Sequence, residues 1–281
     1  MADDKFPALD PSALDATRRA AHAYSKVAGA WAKATRKKRK HWWHASLRPS
    51  LYGMTTGVIY GDTDFEIELN LAESCLEVRT CTSIHRERLV GQSSAELAEK
   101  IRSALFAAGV DEDLAPGADV ESDYKYPDYS PGQANRMHRT IGSVSAVLED
   151  FRAGIREEKS PIQIWPHHFD LSMIWLPGTK VAGQDPANEE YADKQMNFGF
   201  AFGDDGIPEP YFYVTAYPLP DDMPNVELPE GTTWRSEGFS GAVLLYDDLI
   251  KNSDPAGYLL DLWSRLMNAG RAQLCAKDDA A

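Results

Sequence analysis

Cysteine and long apolar runs are both scarce in this sequence. Its 281 residues include three cysteines, Cys75, Cys81 and Cys275, and no two of them have CxxC spacing. A sparse, odd set is typical of a reducing compartment and does not indicate a zinc or dithiol site. No stretch approaches the length of a membrane span, and residues 1–22 lack the apolar core of a signal peptide. We therefore expect a soluble, cytoplasmic protein with no membrane contact.

Positive charge is scarce as well. The 29 Lys and Arg residues are outnumbered by 43 Asp and Glu residues, and the formal net charge is −14 at pH 7. An acidic surface repels phosphate backbones, which argues against nucleic acid as a partner. The nucleic-acid hypothesis would need the cations of residues 36–40 to be exposed on one basic face.

Common catalytic motifs are missing too, because the sequence contains no P-loop, no GxGxxG and no HExxH.

Residues 11–40 have the composition of a long helix that ends in cations. Alanine and unbranched side chains dominate this stretch, and RKKRK occupies residues 36–40. Positive charge at the C-terminal end of a helix complements the helix dipole, so helix formation alone explains the run. An interaction arm that binds an anionic partner is the alternative, because charge runs of this size also form binding patches.

Short extended segments separated by turns follow this helix. Apolar and polar residues alternate in DFEIELNL, residues 64–71, which predicts a half-buried antiparallel strand. SSAELAEKIRSALFAAG, residues 93–109, has Ser93 and Glu96 at capping-box spacing. This second stretch therefore predicts a helix that begins after Ser93.

The same order of elements occurs twice. Residues 1–110 predict a helix, antiparallel strands and a helix, residues 111–132 an acidic linker, and residues 133–272 a second such set. Because each half places Trp and His in the strand after its first helix, we interpret the chain as a diverged internal duplication. Antiparallel sheets with packed helices define the α+β class. We expect the halves to pack as one compact unit, followed by a disordered tail at residues 273–281.

Period-two alternation in HWWHASLR divides its side chains between two faces of a predicted strand. One of these faces carries Trp42, His44, Ser46 and Arg48. This set could line a polar pocket for an anionic or carboxylated ligand, with Arg48 as a bidentate partner. The alternative is a sheet face covered by helices, in which a backbone carbonyl satisfies His44.

Adjacent histidines in IWPHHFDLSM must point to opposite sides of a regular strand. His168, Asp170 and Ser172 then share one face. On that face Asp170 could orient His168 as a base, or the two could bind one metal. A bulge at Pro166 would exchange the directions of His167 and His168, so the choice between the histidines stays open.

A relation between the halves would bring the histidines together. If a pseudo-twofold axis relates the two halves, His44 and His168 converge on the cleft between them. Two histidines and a carboxylate are the minimal donor set of an iron, manganese or zinc site. The candidate catalytic residues are therefore His44, His168 and Asp170.

Three further stretches are weaker candidates. MTTG places Thr55 and Thr56 beside the turn residue Gly57. Backbone N–H groups there could bind a phosphate or carboxylate, although a plain turn explains the pattern equally well. YFYVTAYP puts Tyr213 on a tyrosine-rich strand face, which forms either a ligand wall or a packed sheet. Residues 178–194 are polar and long enough for a lid or a disordered loop.

Four stretches together resemble a known family. HWWHASLRPSLYGMTTG, DFEIELNL, SPIQIWPHHFDL and FYVTAYPLP are similar to the landmarks of a bacterial family catalogued as domain of unknown function 5996, over about residues 15–272. The resemblance implies a bacterial protein with no established activity. It also implies an acidic residue just before QMNFGF, where this chain has Lys194 with Asp193 beside it. Asp193 is thus the residue that would join His44 and His168 in a metal site.

We predict a small-molecule-binding protein whose ligand lies in a cleft between two related α+β halves. An enzyme that depends on a divalent metal is the catalytic version of this prediction. The predicted ligand-binding residues are Trp42, Arg48, Thr55, Thr56 and Tyr213. The alternative is a non-enzymatic protein-interaction module that uses the acidic surface and the YKYPDYSPG segment, with histidines in structural roles. Oligomeric state is left open.

Overall fold

The computed structural model describes residues 5–188 and 190–275. Within these residues the chain forms two compact units, each made of two stretches of sequence. Unit 1 comprises Met1–Ser143 and Gln163–Asp170, and unit 2 comprises Val144–Ile162 and Leu171–Ala281. The chain therefore leaves unit 1 and returns to it before unit 2 is complete.

The predicted division of the chain has a mixed outcome. The boundaries predicted from composition at residues 110 and 132 stay a prediction, as does the internal duplication. The last helix continues to Leu274, and residues 276–281 of the predicted tail lie outside the described residues.

Unit 1 is built on an antiparallel five-stranded sheet in the order β1-β2-β3-β4-β5. Its strands are β1 (Arg48–Pro49), β2 (Gly53–Thr55), β3 (Phe65–Asn70), β4 (Cys75–Thr80) and β5 (Ile84–Arg88). Its helices are α1 (Pro11–Thr35), α2 (Ser94–Ala107) and the first part of α3 (Pro131–Ala153), with short 3-10 segments at Lys40–Ala45, Glu112–Leu114 and Ala118–Val120. Gln163–Trp165 forms a short strand, β7 in chain order, and Ile164 pairs with Leu47.

Local sequence explains where the helices of unit 1 begin. The Asp10 carboxylate accepts the N–H groups of Ser12 and Ala13 at 2.9 and 3.3 Å and so caps α1. Ser93 and Glu96 form the predicted capping box of α2, in which each side chain accepts the other residue's backbone N–H. These bonds satisfy N–H groups that have no partner within the helix.

The buried faces of α1 and β3 meet in the core of unit 1. Trp31 of α1 lies edge-to-face on Phe65 of β3, with ring centroids 5.9 Å apart. The polar face of β3 differs from the prediction of a half-buried strand, because Glu68 is also buried. Its burial is compensated by Arg79, at 2.5 Å from the carboxylate, and by the hydroxyl of Ser50, which donates a hydrogen bond to it.

Unit 2 contains a second antiparallel sheet in the order β11-β12-β10-β9-β8-β6. Its strands are β6 (Glu158–Lys159), β8 (Asp170–Leu176), β9 (Gln195–Ala201), β10 (Tyr211–Tyr217), β11 (Thr232–Arg235) and β12 (Gly241–Leu245). The remainder of α3, α4 (Tyr246–Leu249), α5 (Pro255–Leu274) and a 3-10 turn at Met223–Asn225 complete the unit. Trp263 of α5 packs against Phe151 and Phe212 at 5.5 and 6.4 Å between ring centroids.

Residues 178–194, apart from Glu189, form a loop of unit 2 whose two ends are paired with each other. The backbone of Lys180 pairs with that of Asp193, and their side chains form an ion pair at 2.7 Å. The N–H of Lys194 also donates to the carbonyl of Thr179 at 3.0 Å. The ends of this segment are therefore tied together, and its predicted role as a lid stays a prediction.

Two antiparallel sheets with several packed helices confirm the α+β prediction. Among the described residues, no helix combines the length and the apolar character needed to cross a membrane.

A glycine allows close packing between α1 and the returning segment of unit 1. A Cβ atom at Gly29 would lie 2.5 Å from Cγ of Pro166 and 3.4 Å from the carbonyl oxygen of Ala45. The proline ring cannot rotate away as a long side chain would. The absence of a side chain at Gly29 therefore lets α1 approach the residues next to both histidine-containing segments.

We expect Gly29→Ala to lower the free energy of unfolding by about 1–3 kcal/mol, because overpacking outweighs the gain in helix propensity. Gly142→Ala is the matched control, since Gly142 is also helical but a Cβ there meets nothing within 4 Å. It should stabilise the protein by about 0.5–1 kcal/mol. Urea unfolding of both variants measures these changes. Equal effects of the two substitutions would contradict the close-packing argument.

Candidate functional site

Residues 41–45 do not form the predicted strand. Lys40–Ala45 is a short 3-10 segment in which His41 and Trp42 have left-handed φ angles of 51° and 58°. A left-handed backbone turns the chain and interrupts period-two alternation. The predicted shared strand face that runs from Trp42 to Arg48 is therefore wrong.

The turn instead contributes to a pocket in unit 1. The end of α1, the 3-10 segment, β1 and the loop between β2 and β3 enclose about 460 Å³. The cationic residues of its lining are Arg36, Lys37, Arg39 and Arg48. His44 and Thr56, two of the predicted site residues, also line this cavity, which we call the basic pocket. The structure thus brings together His44 and Arg48 of HWWHASLR with Thr56 of MTTG.

Three guanidinium groups influence one another in the basic pocket. The pKa of Arg36 is lowered from its ordinary value, first by burial and then by the positive charges of Arg48 and Arg39. Burial and the charge of Arg39 likewise lower the pKa of Arg48. Arginine nevertheless stays charged at any physiological pH, so these shifts express mutual repulsion and lost hydration.

No carboxylate offsets this repulsion within residues 5–188 and 190–275. Arg36 donates hydrogen bonds to the backbone carbonyls of Thr56 and Ser46, the latter at 3.5 Å. The guanidinium groups of Arg39 and Arg48 have no hydrogen-bond or ion-pair partner among these residues. Positive charge is therefore concentrated at one place in a strongly acidic chain.

His44 is buried in the wall of the basic pocket. Its Nδ1 accepts the backbone N–H of Arg39 at 3.2 Å, so the neutral ring carries its proton on Nε2. The imidazole also stacks on Trp42 with 5.7 Å between centroids. The backbone N–H of Arg39 therefore helps to fix this ring, and the backbone carbonyl considered from the sequence stays a prediction.

The two tryptophans have different surroundings from those predicted. The ammonium groups of Lys33 and Lys38 lie 5.7 and 5.3 Å from the Trp42 ring centroid, as cation–π contacts. Trp43, which would lie on the other face of the predicted strand, is half-buried and lines the basic pocket. The left-handed turn at residues 41 and 42 causes this difference from the predicted surroundings of Trp42 and Trp43.

The threonine-glycine turn uses its backbone donors internally. The N–H of Thr56 donates to the carbonyl of Ile67 at 2.9 Å, and the N–H of Gly57 donates to Oγ1 of Thr55 at 2.8 Å. Thr55 also donates a hydrogen bond to the Glu66 carboxylate. These contacts favour a structural role for the N–H groups that were considered as anion donors, while the Thr56 residue itself lines the pocket.

The second histidine segment also departs from a regular strand. Residues 166–169 form a turn in which Phe169 has a φ of 58°, and β8 begins only at Asp170. His167 and His168 are both exposed in this turn. The prediction that His168 shares a strand face with Asp170 and Ser172 is wrong, because the chain reverses direction between them.

His22 of α1 holds this turn within unit 1. Its Nε2 lies 3.0 Å from the carbonyl oxygens of both Pro166 and His167, and its ring stacks on Phe169 at 5.3 Å. Burial, followed by the charge of Lys26, lowers the pKa of His22 from 6.5 to about 4. The folded structure therefore favours the neutral ring, which still donates one N–H to the two carbonyls.

The predicted metal ligands are found in different settings. Among the described residues, the group of metal-binding side chains whose ligand atoms lie within 4.8 Å of one another is Glu73, Cys75 and Glu77. Burial raises the pKa of the Cys75 thiol to about 11, which disfavours the thiolate. Asp193 belongs to unit 2 and pairs with Lys180. The metal roles of His44, His168 and Asp193 stay predictions.

Tyr213 also belongs to unit 2. Its ring lies over Gly199, where a Cβ atom would be 2.3 Å from the tyrosine Cζ, and it meets Phe239 at 6.3 Å between centroids. A small apolar cluster that includes Tyr211 and Val243 packs beside it. Its predicted role in ligand binding stays a prediction.

We expect the loss of stability on acidification to depend on His22. The unfolded chain takes up this proton near pH 6.5 and the folded chain near pH 4, so stability is complete above pH 6.5 and decreases as the pH falls towards 4. Between pH 7.5 and pH 5 the contribution is about 1–2 kcal/mol, allowing for solvent screening of a partly exposed ring. His22→Gln, which can still donate to the carbonyls, should remove it. Urea unfolding at both pH values measures the difference, and an identical decline in the two proteins would contradict it.

The chain belongs to a family of unknown function (DUF5996), whose model matches residues 6–281. This match confirms the resemblance seen in the sequence. No curated protein and no solved structure matches the chain.

Proposed function

We propose that this member of the family binds a small organic anion in the basic pocket of unit 1. The observation that carries the proposal is the group of three guanidinium groups, Arg36, Arg39 and Arg48, which lacks a carboxylate partner among the described residues. Like charges that are partly desolvated raise the free energy of the empty pocket. A bound anion would offset this repulsion.

Stabilisation of a helix end does not account for the cluster. The dipole effect fades beyond the last turn of a helix, and α1 ends at Thr35. The guanidinium of Arg36 donates hydrogen bonds to carbonyls outside α1, and Arg48 belongs to β1. The sequence-based explanation therefore applies to Lys33, which lies in the last turn, and leaves the other cations unexplained.

The net charge of −14 does not prevent anion binding at this place. Exposed charges are largely screened beyond about 8 Å at physiological ionic strength. A small anion inside the pocket therefore experiences mainly the nearby cations. Partly buried groups are screened less, which strengthens the local attraction further.

The chemistry of the lining fits an organic anion. Arginine presents parallel N–H donors that match carboxylate and phosphate oxygens, and Arg48 is half-buried with no protein partner among the described residues. The pocket volume of about 460 Å³ lies in the range of small-molecule sites. Trp43, Val58 and Tyr60 add apolar surface to the lining, as is usual in such sites.

We expect Arg48→Gln to weaken binding of small anions by about tenfold or more, because one charge-assisted bidentate contact is lost. Arg265→Gln is the matched control. It changes the net charge equally, and Arg265 is an exposed residue of unit 2 paired with Asp261 at 2.7 Å. Calorimetric titration with inorganic phosphate and succinate at constant ionic strength measures both variants. Equal weakening in the two variants, or no binding to the unaltered protein, would contradict the proposal.

A further inference from the structure

We infer that the basic pocket binds a phosphate ester that carries a planar aromatic group, the chemistry of a nucleoside monophosphate. This inference rests on the proposed function and assigns a ligand class to the same site. The juxtaposition that carries it lies in one pocket, where Arg39 and Arg48, whose guanidinium groups have no partner among the described residues, share the lining with the exposed ring of Tyr60.

The cationic side of the pocket fits a phosphate better than a carboxylate. A phosphate monoester carries a charge between about −1.5 and −2 at pH 7 and three acceptor oxygens, whereas a carboxylate carries one charge and two oxygens. Arg36 is anchored to the carbonyls of Thr56 and Ser46, so its charge has a fixed position. Arg39 and Arg48 retain their guanidinium donors. The positive charges of the lining, those of Arg36, Lys37, Arg39 and Arg48, are therefore matched more closely by a dianion than by a monoanion.

The backbone that carries Tyr60, another residue of the pocket lining, is held by hydrogen bonds. Ile59 is buried, and its N–H and carbonyl both pair with Phe65, at 2.7 and 3.0 Å. In an extended segment the neighbours of Ile59 point the other way. Val58 and Tyr60 accordingly are 46% and 79% exposed, although both line the pocket. The backbone pairing thus holds an exposed aromatic ring at the edge of the cationic cavity.

Tyr60 also differs from Trp43, the other aromatic residue considered in the pocket lining, in that no described side chain stacks on its ring. The Trp43 ring has the ammonium of Lys40 at 5.6 Å on its face and His41 stacked at 6.1 Å. No ring or cation contact of Tyr60 occurs within the described part of the chain. An aromatic face of this kind stacks on a nucleobase or a similar planar group. Stacking would bury surface that the fold itself leaves in water.

The test compares three probes on the full chain by calorimetric titration at constant ionic strength. Adenosine 5′-monophosphate contains both groups, ribose 5-phosphate lacks the base, and adenosine lacks the phosphate. We expect adenosine 5′-monophosphate to bind about tenfold more tightly than ribose 5-phosphate, from one stacked ring. Adenosine should bind more weakly than either phosphate.

Variants of Tyr60 separate stacking from a change in folding. Tyr60→Ala should remove the tenfold difference between adenosine 5′-monophosphate and ribose 5-phosphate, whereas Tyr60→Phe should keep it. Tyr52→Ala is the matched control, because Tyr52 is 42% exposed in unit 1 but does not line the basic pocket. It should preserve both affinities.

The outcomes distinguish this inference from the proposed function. Equal binding of ribose 5-phosphate and adenosine 5′-monophosphate, or an unchanged difference in Tyr60→Ala, would overturn the aromatic assignment and leave anion binding intact. Adenosine binding as tightly as its phosphate would overturn the phosphate assignment. Failure of inorganic phosphate, succinate and both phosphate esters to bind would overturn the proposed function together with this inference.

Discussion

The basic pocket depends on how Arg36 is held. Its guanidinium bonds the backbone carbonyls of Thr56 and Ser46, and so joins the end of α1 to the loop after β2 and to the start of β1. Backbone carbonyls are neutral, so these bonds fix the position of Arg36 without cancelling its charge. Arg39 and Arg48 therefore approach a cation that cannot move away, and the repulsion between them is retained in the folded protein. The anion of the proposed function would offset this repulsion.

The fold was predictable where local chemistry and periodicity agree. Ser93 with Glu96 marks the start of α2 in the sequence, and the predicted capping box forms. The order of helices and strands was sufficient to predict the α+β class. The left-handed turn at residues 41 and 42 was not predictable, because its φ angles occur at histidine and tryptophan, where glycine or asparagine would normally signal them.

The candidate site was also predictable only in part, because residue types are visible in the sequence and the left-handed turn is not. Arg48 and His44 were identified from their residue types, and both line the basic pocket even though the strand that was meant to align them does not form. Arg36 and Arg39 were visible as part of a cation run, but a helix terminus explained that run locally. Arg36 is distinguished by its bonds to the carbonyls of Ser46 and Thr56, and both arginines by their charge interaction with Arg48, which periodicity does not reveal. Tyr60 has no sequence signal, because its exposure follows from the pairing of its neighbour with Phe65.

The acidic surface and the basic pocket act over different distances, and together they favour a small ligand over a polymer. A polyanion must lie along an extended surface, where each phosphate beyond the pocket meets the repulsion of a chain with a net charge of −14. A single phosphate ester places its charge within reach of the three guanidinium groups and extends little beyond them. Residues 37–39 are exposed, whereas Arg36 and Lys40 are half-buried, so the single basic face of residues 36–40 that the nucleic-acid hypothesis required stays a prediction. This balance of charges therefore supports the proposal of a small anion over that of a polymer.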